Sequence, residues 1–393
     1  MKIFEEILEK ECIKAIINKG GEVYFVGGCV RDYFLSKDPK DVDIVVRKLQ
    51  IDEIKTILKK FGHVHLVGES FGVIKFKEFK TKFELDIALP RKDKLDNTQK
   101  GHRAIIVQSD PFLSIEDDLK RRDFTINSFC FDQNLQVIDP FNGLEDLYAG
   151  IIKATSNEAF SEDPLRMLRA IQFAARFRFS IEEETCDLIR KNAAKIKDIS
   201  KERIVSEIQK VIDKKGDIGF FTHLLFQSTI ASFIFPSLNI TYISHNTLSN
   251  VKTIGEYLFA LLFVNSNKKA KEEIFSFPLE KNTKKEIDAL QKMLSATTKM
   301  HIFEALQIYP KIIHSKFFDH SVITDGFIDG RYPKSLKELN INGDELMKLG
   351  LEGQGIMLKQ YELLEEIFNE NLINVKEKIY FYLFNEMTQK LGV

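Results

Sequence analysis

Two aspartates, Asp41 and Asp43, follow shortly after a Gly27-Gly28 pair and are separated by a single valine. Tyr24-Phe25-Val26 before the glycines and Asp43-Ile44-Val45-Val46 after them are apolar and β-branched, which predicts two strands with a turn and a short helix between. Carboxylates two apart on a strand point to the same face. Like charges held that close repel unless neutralised, and a hard divalent cation neutralises them. The glycines let the backbone approach a ligand, and the helix start behind them offers N–H groups to an anion such as phosphate. Taken singly, the glycines read as a turn and the aspartates as a solvated strand edge. Within one strand–helix–strand unit they predict metal-assisted chemistry on a phosphate. The glycine spacing is neither of the dinucleotide type nor of the P-loop type, which argues against both folds.

A second cluster begins with the acidic helix start Glu116-Asp117-Asp118 and runs into Arg121-Arg122-Asp123-Phe124-Thr125-Ile126-Asn127. Adjacent arginines commonly form a solvated surface pair. Beside a phosphate site, arginine is suited to bidentate contact with oxyanions. Asp139-Pro140 with Gly143 reads as a loop and turn.

The third cluster is Phe160-Ser161-Glu162-Asp163-Pro164-Leu165-Arg166, continuing to Arg169 and Gln172. Ser161 is expected as an N-cap with Pro164 in the first turn. Asp163, Arg166 and Arg169 then share a helix face, where an exposed ion pair contributes little stability. An Asp beside an Arg also makes an edge of acceptor plus donor. Cytosine and adenine both present an amino donor next to a ring-nitrogen acceptor, and uracil and guanine present the reverse. One fixed Asp–Arg edge therefore pairs with C or A and rejects U and G, because unpaired buried polar groups are unfavourable.

These residues need elements to carry them. The first 140 residues mix helix and strand: a helix near 52–61, a hairpin-like pair at Val64–Val67 and Val73–Phe79, and strands at Phe83–Leu89 and Ser128–Asp132. Residues 90–105 are polar and charged and read as a loop. From about Asn142 the spacing is helical, so the fold class is an α/β head followed by a long helical remainder. With 393 residues, 44% hydrophobic and 29% charged, the chain is long enough for two to four globular units. Met1–Asn18 carries Glu5, Glu6, Glu9 and Glu11 and reads as an amphipathic helix, not a signal peptide. The apolar run Tyr257–Val264 is too short to span a bilayer. Cysteines 12, 29, 130 and 186 have no metal-type spacing and suggest no disulfide framework, so a cytoplasmic protein is expected. The balance of 57 basic and 58 acidic residues speaks against a general nucleic-acid binder and leaves room for a local basic groove.

The motifs Gly27-Gly28-x-Val30-Arg31-Asp32, Asp41-x-Asp43, Arg121-Arg122-Asp123-Phe124-Thr125-Ile126-Asn127, Asp139-Pro140-x-x-Gly143 and Glu162-Asp163-x-x-Arg166-x-x-Arg169 resemble those of the class II nucleotidyltransferases. That family comprises bacterial tRNA CCA-adding enzymes and poly(A) polymerases. A weaker likeness to the CCA-adding members continues through Leu339–Gly350, Gly353 and Gly355. The resemblance implies a polymerase-β-like mixed sheet as catalytic head (1–140), a helical neck for base recognition (141–205), a helical body (206–310) and a tRNA-binding tail (311–393). It implies that Asp41 and Asp43 are catalytic and hold Mg²⁺, with Asp86 or Glu84 as the third carboxylate. Gly28 and Arg31 would contact phosphates, Arg122 the nucleotide and Asp123 the ribose. Asp163 and Arg166 would read the base and Arg169 would support the nucleotide; some members carry Arg where Gln172 stands. The implied activity is template-free addition of CCA to tRNA from CTP and ATP, with no DNA or membrane partner. The alternatives are a poly(A) polymerase, a CC-only or A-only enzyme, and a non-catalytic RNA-binding module. None of the eight histidines precedes an aspartate, so the phosphohydrolase domain that some members append is not expected.

Overall fold

The computed structural model describes residues 1–39, 41–67, 72–95, 105–238, 248–264, 268–315 and 322–391. They divide into two compact units, Met1–Pro236 and Ser237–Val393. The first unit opens with α1 (Lys2–Leu8) and α2 (Glu11–Asn18), then β1 (Glu22–Val26), α3 (Gly28–Phe34), β2 (Asp43–Arg47) and α4 (Ile51–Leu58). Next come β3 (Gly62–Val67), β4 (Val73–Glu78), β5 (Glu84–Ala88), β6 (Arg91–Leu95) and β7 (Ile105–Ser109). After α5 (Ile115–Lys120) follow the short strands β8 (Cys130–Phe131) and β9 (Val137–Ile138). The N-terminal segment is thus two helices rather than one, with Lys10 extended between them.

Seven strands form one sheet in the order β3-β4-β5-β2-β1-β8-β9, and only β2 and β5 run parallel. β1 is apolar on both faces because both are covered. Phe25 meets Phe4 of α1 at 4.8 Å between ring centres. Tyr24 and Val26 pack with Ile115 and Leu119 of α5 on the other side. Burying an aromatic or leucine side chain contributes roughly 1.5–3 kcal/mol, so this double packing fixes where β1 ends. Asp43, the first residue of β2, lies opposite Val26 in β1 and Asp86 in β5. The end of β1, the start of β2 and the middle of β5 therefore meet at one place.

The expected hairpin of β3 and β4 is present, with Val64 opposite Phe76. The expected loop at 90–105 is not: β6 and β7 pair as a two-stranded antiparallel ribbon with Arg91 opposite Ser109, and residues 96–104 lie outside the described set. The ribbon forms no part of the large sheet. β6 reads Arg91-Lys92-Asp93-Lys94-Leu95, a mostly charged run, which is why composition pointed to a loop.

The rest of the first unit is helical: α6 (Gly143–Ala149), α7 (Ala159–Glu162), α8 (Leu165–Phe177), α9 (Glu183–Asn192), α10 (Lys201–Asp213), α11 (Ile218–Gln227) and α12 (Ile230–Ile234), with β10 (Ile151–Ile152) and β11 (Ser180–Ile181) as a small parallel pair. Both α10 and α11 pack against α8. α8 buries Leu165, Met167, Leu168, Ala170, Ile171, Phe173, Ala174 and Ala175 while holding Arg166 and Gln172 inside as well.

In the second unit, helices Lys281–Leu294, Lys299–Ile308 and Gln354–Phe368 enclose a core that includes Leu290, Phe303, Leu306, Leu363, Leu364 and Phe368. Glu256 and Glu286 are buried there, and among the described residues no cation pairs with either. A Cβ on Gly255 would lie 2.1 Å from Oε2 of Glu286, so any larger residue there must displace that carboxylate. Burial pushes the Glu286 carboxyl up to about 7, and the nearby Glu256 adds to the rise. A raised folded value means that this group's contribution is complete below the unfolded value and is lost as pH rises through about 7. The second unit is therefore expected to melt on the order of 5 °C lower at pH 8 than at pH 5. Glu286→Gln should remove that difference in thermal unfolding followed across the two pH values.

Candidate active site

The turn after β1 places Gly27 at φ +74°, a conformation suited to glycine. Two guanidinium groups close on this turn. A Cβ on Gly27 would meet Nη1 of Arg122 at 3.0 Å, and one on Gly28 would meet Nη2 of Arg31 at 3.5 Å. Arg31 is buried; it donates to Asn127 Oδ1 at 2.6 Å and to Asp32 Oδ1 at 2.6 and 2.9 Å. Its guanidinium also lies over the Phe177 ring at 4.9 Å. Arg121 and Arg122 are not a solvated surface pair: both are half-buried on one carboxylate, Asp118, which has no exposed surface.

Asp43 stands at the same end of the sheet. Burial raises its carboxyl above the ordinary range; Asp86 and Asp41 add to the rise, while Arg122 and Lys75 oppose it. Asp41 precedes β2 in a bend, so strand alternation does not set its direction as the sequence reading assumed. Asp86 faces Asp43 across β2 and β5, whereas Glu84 is engaged by Lys77 at 2.6 Å. Lys75 holds Asp86 at 2.9 and 3.1 Å, and among the described residues no three metal-ligating side chains already surround one point. The chemistry of Asp41, Asp43 and Asp86, hard carboxylate oxygens near enough to raise the Asp43 carboxyl, fits a hard divalent cation.

The base-reading candidates lie on the break between α7 and α8. Asp163 is extended, with φ −133° and ψ 99°, because a residue before proline is disfavoured in the helical region. Ser161 is therefore not an N-cap: it sits inside α7 and donates to the Glu158 carbonyl at 2.8 Å. Pro164 stands at the N-cap of α8, and Asp163 just before it accepts from the Leu165 N–H at 3.1 Å. Asp163 and Arg166 do not pair with each other. Asp163 Oδ2 accepts from Arg203 of α10 at 3.2 Å, and Arg166 donates to the main-chain carbonyl of Arg121 at 2.6 Å.

Arg169 grips Asp123 Oδ2 with two bonds of 2.6 and 2.9 Å. Asp123 Oδ1 accepts from Asn127 and from the Phe124 N–H, both at 2.9 Å. Burial would raise the Asp123 carboxyl, but Arg169 and the Asn127 bond hold it below the usual range. Asn127 thus bridges Arg31 to Asp123, and Glu207 continues the chain beyond Arg169 at 3.9 Å. Asp118, Asn127, Arg203 and Glu207 were not singled out from sequence. Asp118 lies four before Arg122 and was open to an i,i+4 argument; Arg203 is 40 residues from Asp163 and carried no local signal. Buried Gln172 leaves its Nε2 without a partner among the described residues.

The sheet end with its glycine turn and carboxylates is thus joined through Arg121–Asp123 to the helical segment that carries Asp163, Arg166 and Arg169. The family profile "Poly A polymerase head domain" matches residues 23–153, and "Probable RNA and SrmB- binding site of polymerase A" matches 178–241. The CC-adding tRNA nucleotidyltransferase of Halalkalibacterium halodurans is 30% identical over 295 residues, covering 72% of this chain and 69% of that protein. The CCA-adding enzyme of Staphylococcus haemolyticus is 26% identical over 406 residues, covering 94% and 95%. Among solved structures, the Bacillus stearothermophilus CCA-adding enzyme in complex with CTP has the same fold: TM-score 0.76, 23% identity, 99% and 98% coverage. The chain belongs to the nucleotidyltransferase family that includes the CCA-adding enzymes and shares its head with poly(A) polymerases.

Proposed function

We propose that this protein adds or restores the 3′-terminal CCA of tRNA, taking nucleotides from CTP and ATP without a nucleic-acid template. One observation carries the reading. The Gly27–Gly28 turn, Arg122 and Asp43 meet at one sheet end, and Arg166 is tied to the same Arg121–Arg122 segment through the Arg121 carbonyl.

Asp41 and Asp43, with Asp86 in preference to Glu84, would hold Mg²⁺. By holding it, these carboxylates would make the 3′-hydroxyl more acidic and offset charge on the triphosphate. Arg122 offers an oriented fork of donors at the glycine turn, and Arg31 backs it from beneath Gly28. Asp163 and Arg166 present the acceptor and donor that meet C or A, while Arg169 holds Asp123 in place for the ribose. Along the chain we assign the head to 1–140, the neck to 141–205, the body to 206–310 and the tRNA-binding tail to 311–393. Among the described residues no helix is long and apolar enough to cross a membrane, and we place the work in the cytoplasm.

The test is incubation with Mg²⁺ and tRNA lacking its last three nucleotides, with CTP and ATP separately and together. Two additions from CTP and one from ATP are expected. Stopping after CC favours the second reading, a CC-only enzyme, which the Halalkalibacterium relative supports. ATP runs on arbitrary RNA would mean a poly(A) polymerase. In the same assay Arg166→Ala should admit UTP and GTP; unchanged selectivity removes the base-edge model.

A further inference from the structure

Asp118 has no exposed surface, yet four donors reach its carboxylate. Oδ1 accepts from Arg121 Nε at 2.9 Å and Nη2 at 2.8 Å, and from the main-chain N–H of Arg91 at 3.1 Å. Oδ2 accepts from Arg122 Nη2 at 3.2 Å. These donors come from different places. Arg91 is the first residue of the β6–β7 ribbon, and Arg122 is the group that closes on Gly27. Arg121 lends its carbonyl to Arg166. The buried Nε of Arg122 has no partner among the described residues, and the bond from Nη2 to Asp118 Oδ2 is what holds its fork beside the glycine turn. Burial would raise the Asp118 carboxyl, but Arg121 and Arg122 hold it below the ordinary range, so it is a charged hub at neutral pH.

We propose that Asp118 is a positioning residue for nucleotide binding: its single carboxylate aims Arg122 at the Gly27–Gly28 turn and anchors the foot of the 91–109 ribbon to the same group. Ribbon and nucleotide site are then linked through one side chain that itself touches no substrate. A buried ion pair would account for the same contacts by stability alone, and the two accounts differ in kinetics. A purely structural Asp118 weakens everything in proportion to lost fold. A positioning Asp118 weakens nucleotide binding and leaves tRNA binding in place.

This inference rests on the nucleotidyl-transfer reading above. On the full chain, kcat, KM for CTP and KM for tRNA are measured for wild type, Asp118→Asn, Arg122→Lys and the double variant. Asp118→Asn is expected to raise KM for CTP about tenfold or more, with KM for tRNA within about twofold of wild type. The double variant should bind CTP no worse than Arg122→Lys, because coupled residues are not additive. Additive effects, or equal rises in both KM values, overturn the proposal. Should Asp118→Asn fail to fold, Arg91→Pro is compared with Arg91→Ala. Both remove the side chain and only proline lacks the N–H that Asp118 accepts. A higher KM for CTP in the proline variant is expected, and equal values overturn the linkage. Wild type that incorporates nothing refutes the nucleotidyl-transfer reading and this inference with it. An active wild type with unchanged Asp118→Asn kinetics refutes the inference alone.

Discussion

Replacing Asp43 with alanine is expected to lower nucleotide incorporation on the order of 10³-fold or more, the scale of losing several kcal/mol of transition-state charge stabilisation. tRNA binding should stay within about twofold, because Asp43 sits at the head's sheet end and no described contact ties it to the helical remainder. The thermal midpoint should hold or rise. Asp43 is held above its ordinary range by burial and by Asp86 and Asp41, so its removal relieves crowding rather than breaking a pair. Loss of activity with loss of fold would point to a structural residue. Retained activity would remove Asp43 from the chemistry altogether. The combination of a dead enzyme and an undiminished melting temperature is what a carboxylate kept for a cation requires.

Asp123→Ala is expected to do the opposite, destabilising the first unit by about 1.5–3 kcal/mol, because it takes the bidentate partner from half-buried Arg169 and an acceptor from buried Asn127. The pH dependence has a definite sign. The folded carboxyl is held low by Arg169 and Asn127 against the upward push of burial. Its contribution is therefore complete above the unfolded value, about 3.9, and is lost as pH falls through the folded one. Urea unfolding of wild type and variant at pH 7 and pH 3 measures this: the gap should be wide at pH 7 and narrow at pH 3. A gap below 1 kcal/mol at pH 7, or one independent of pH, would count against the pairing.

How much of this was legible depends on the range of each signal. The Gly27–Gly28 turn and Asp43 were readable because strand, turn and strand are contiguous, so alternation and glycine chemistry act within twenty residues. The ribbon was not: Lys92, Asp93 and Lys94 look like loop residues, and their pairing partners come from residues 105–109, beyond the reach of any local pattern. The split between α7 and α8 was half legible. Pro164 marks the start of α8 as its cap residue, but the extended conformation it imposes on Asp163 ends α7 at Glu162, so Ser161 lies inside a separate helix and caps nothing. The motif residues were found as types, yet their partners were not. Arg203 and Glu207 come from a later helix, and only the packing of α10 on α8 brings them to Asp163 and Arg169.

With the Ala159 carbonyl at 3.4 Å and the Glu162 carboxylate at 3.5 Å beside it, the shortest bond that Arg166 makes is to a main-chain carbonyl, that of Arg121 at 2.6 Å. Every amino acid carries that oxygen, so no point substitution at position 121 can delete the acceptor. That bond is therefore set by the backbone path and is indifferent to which side chain stands at position 121. An insertion or deletion between α5 and the 3-10 turn at Thr125–Asn127 would move the carbonyl. For this contact, the length of the segment matters more than the identity of residue 121.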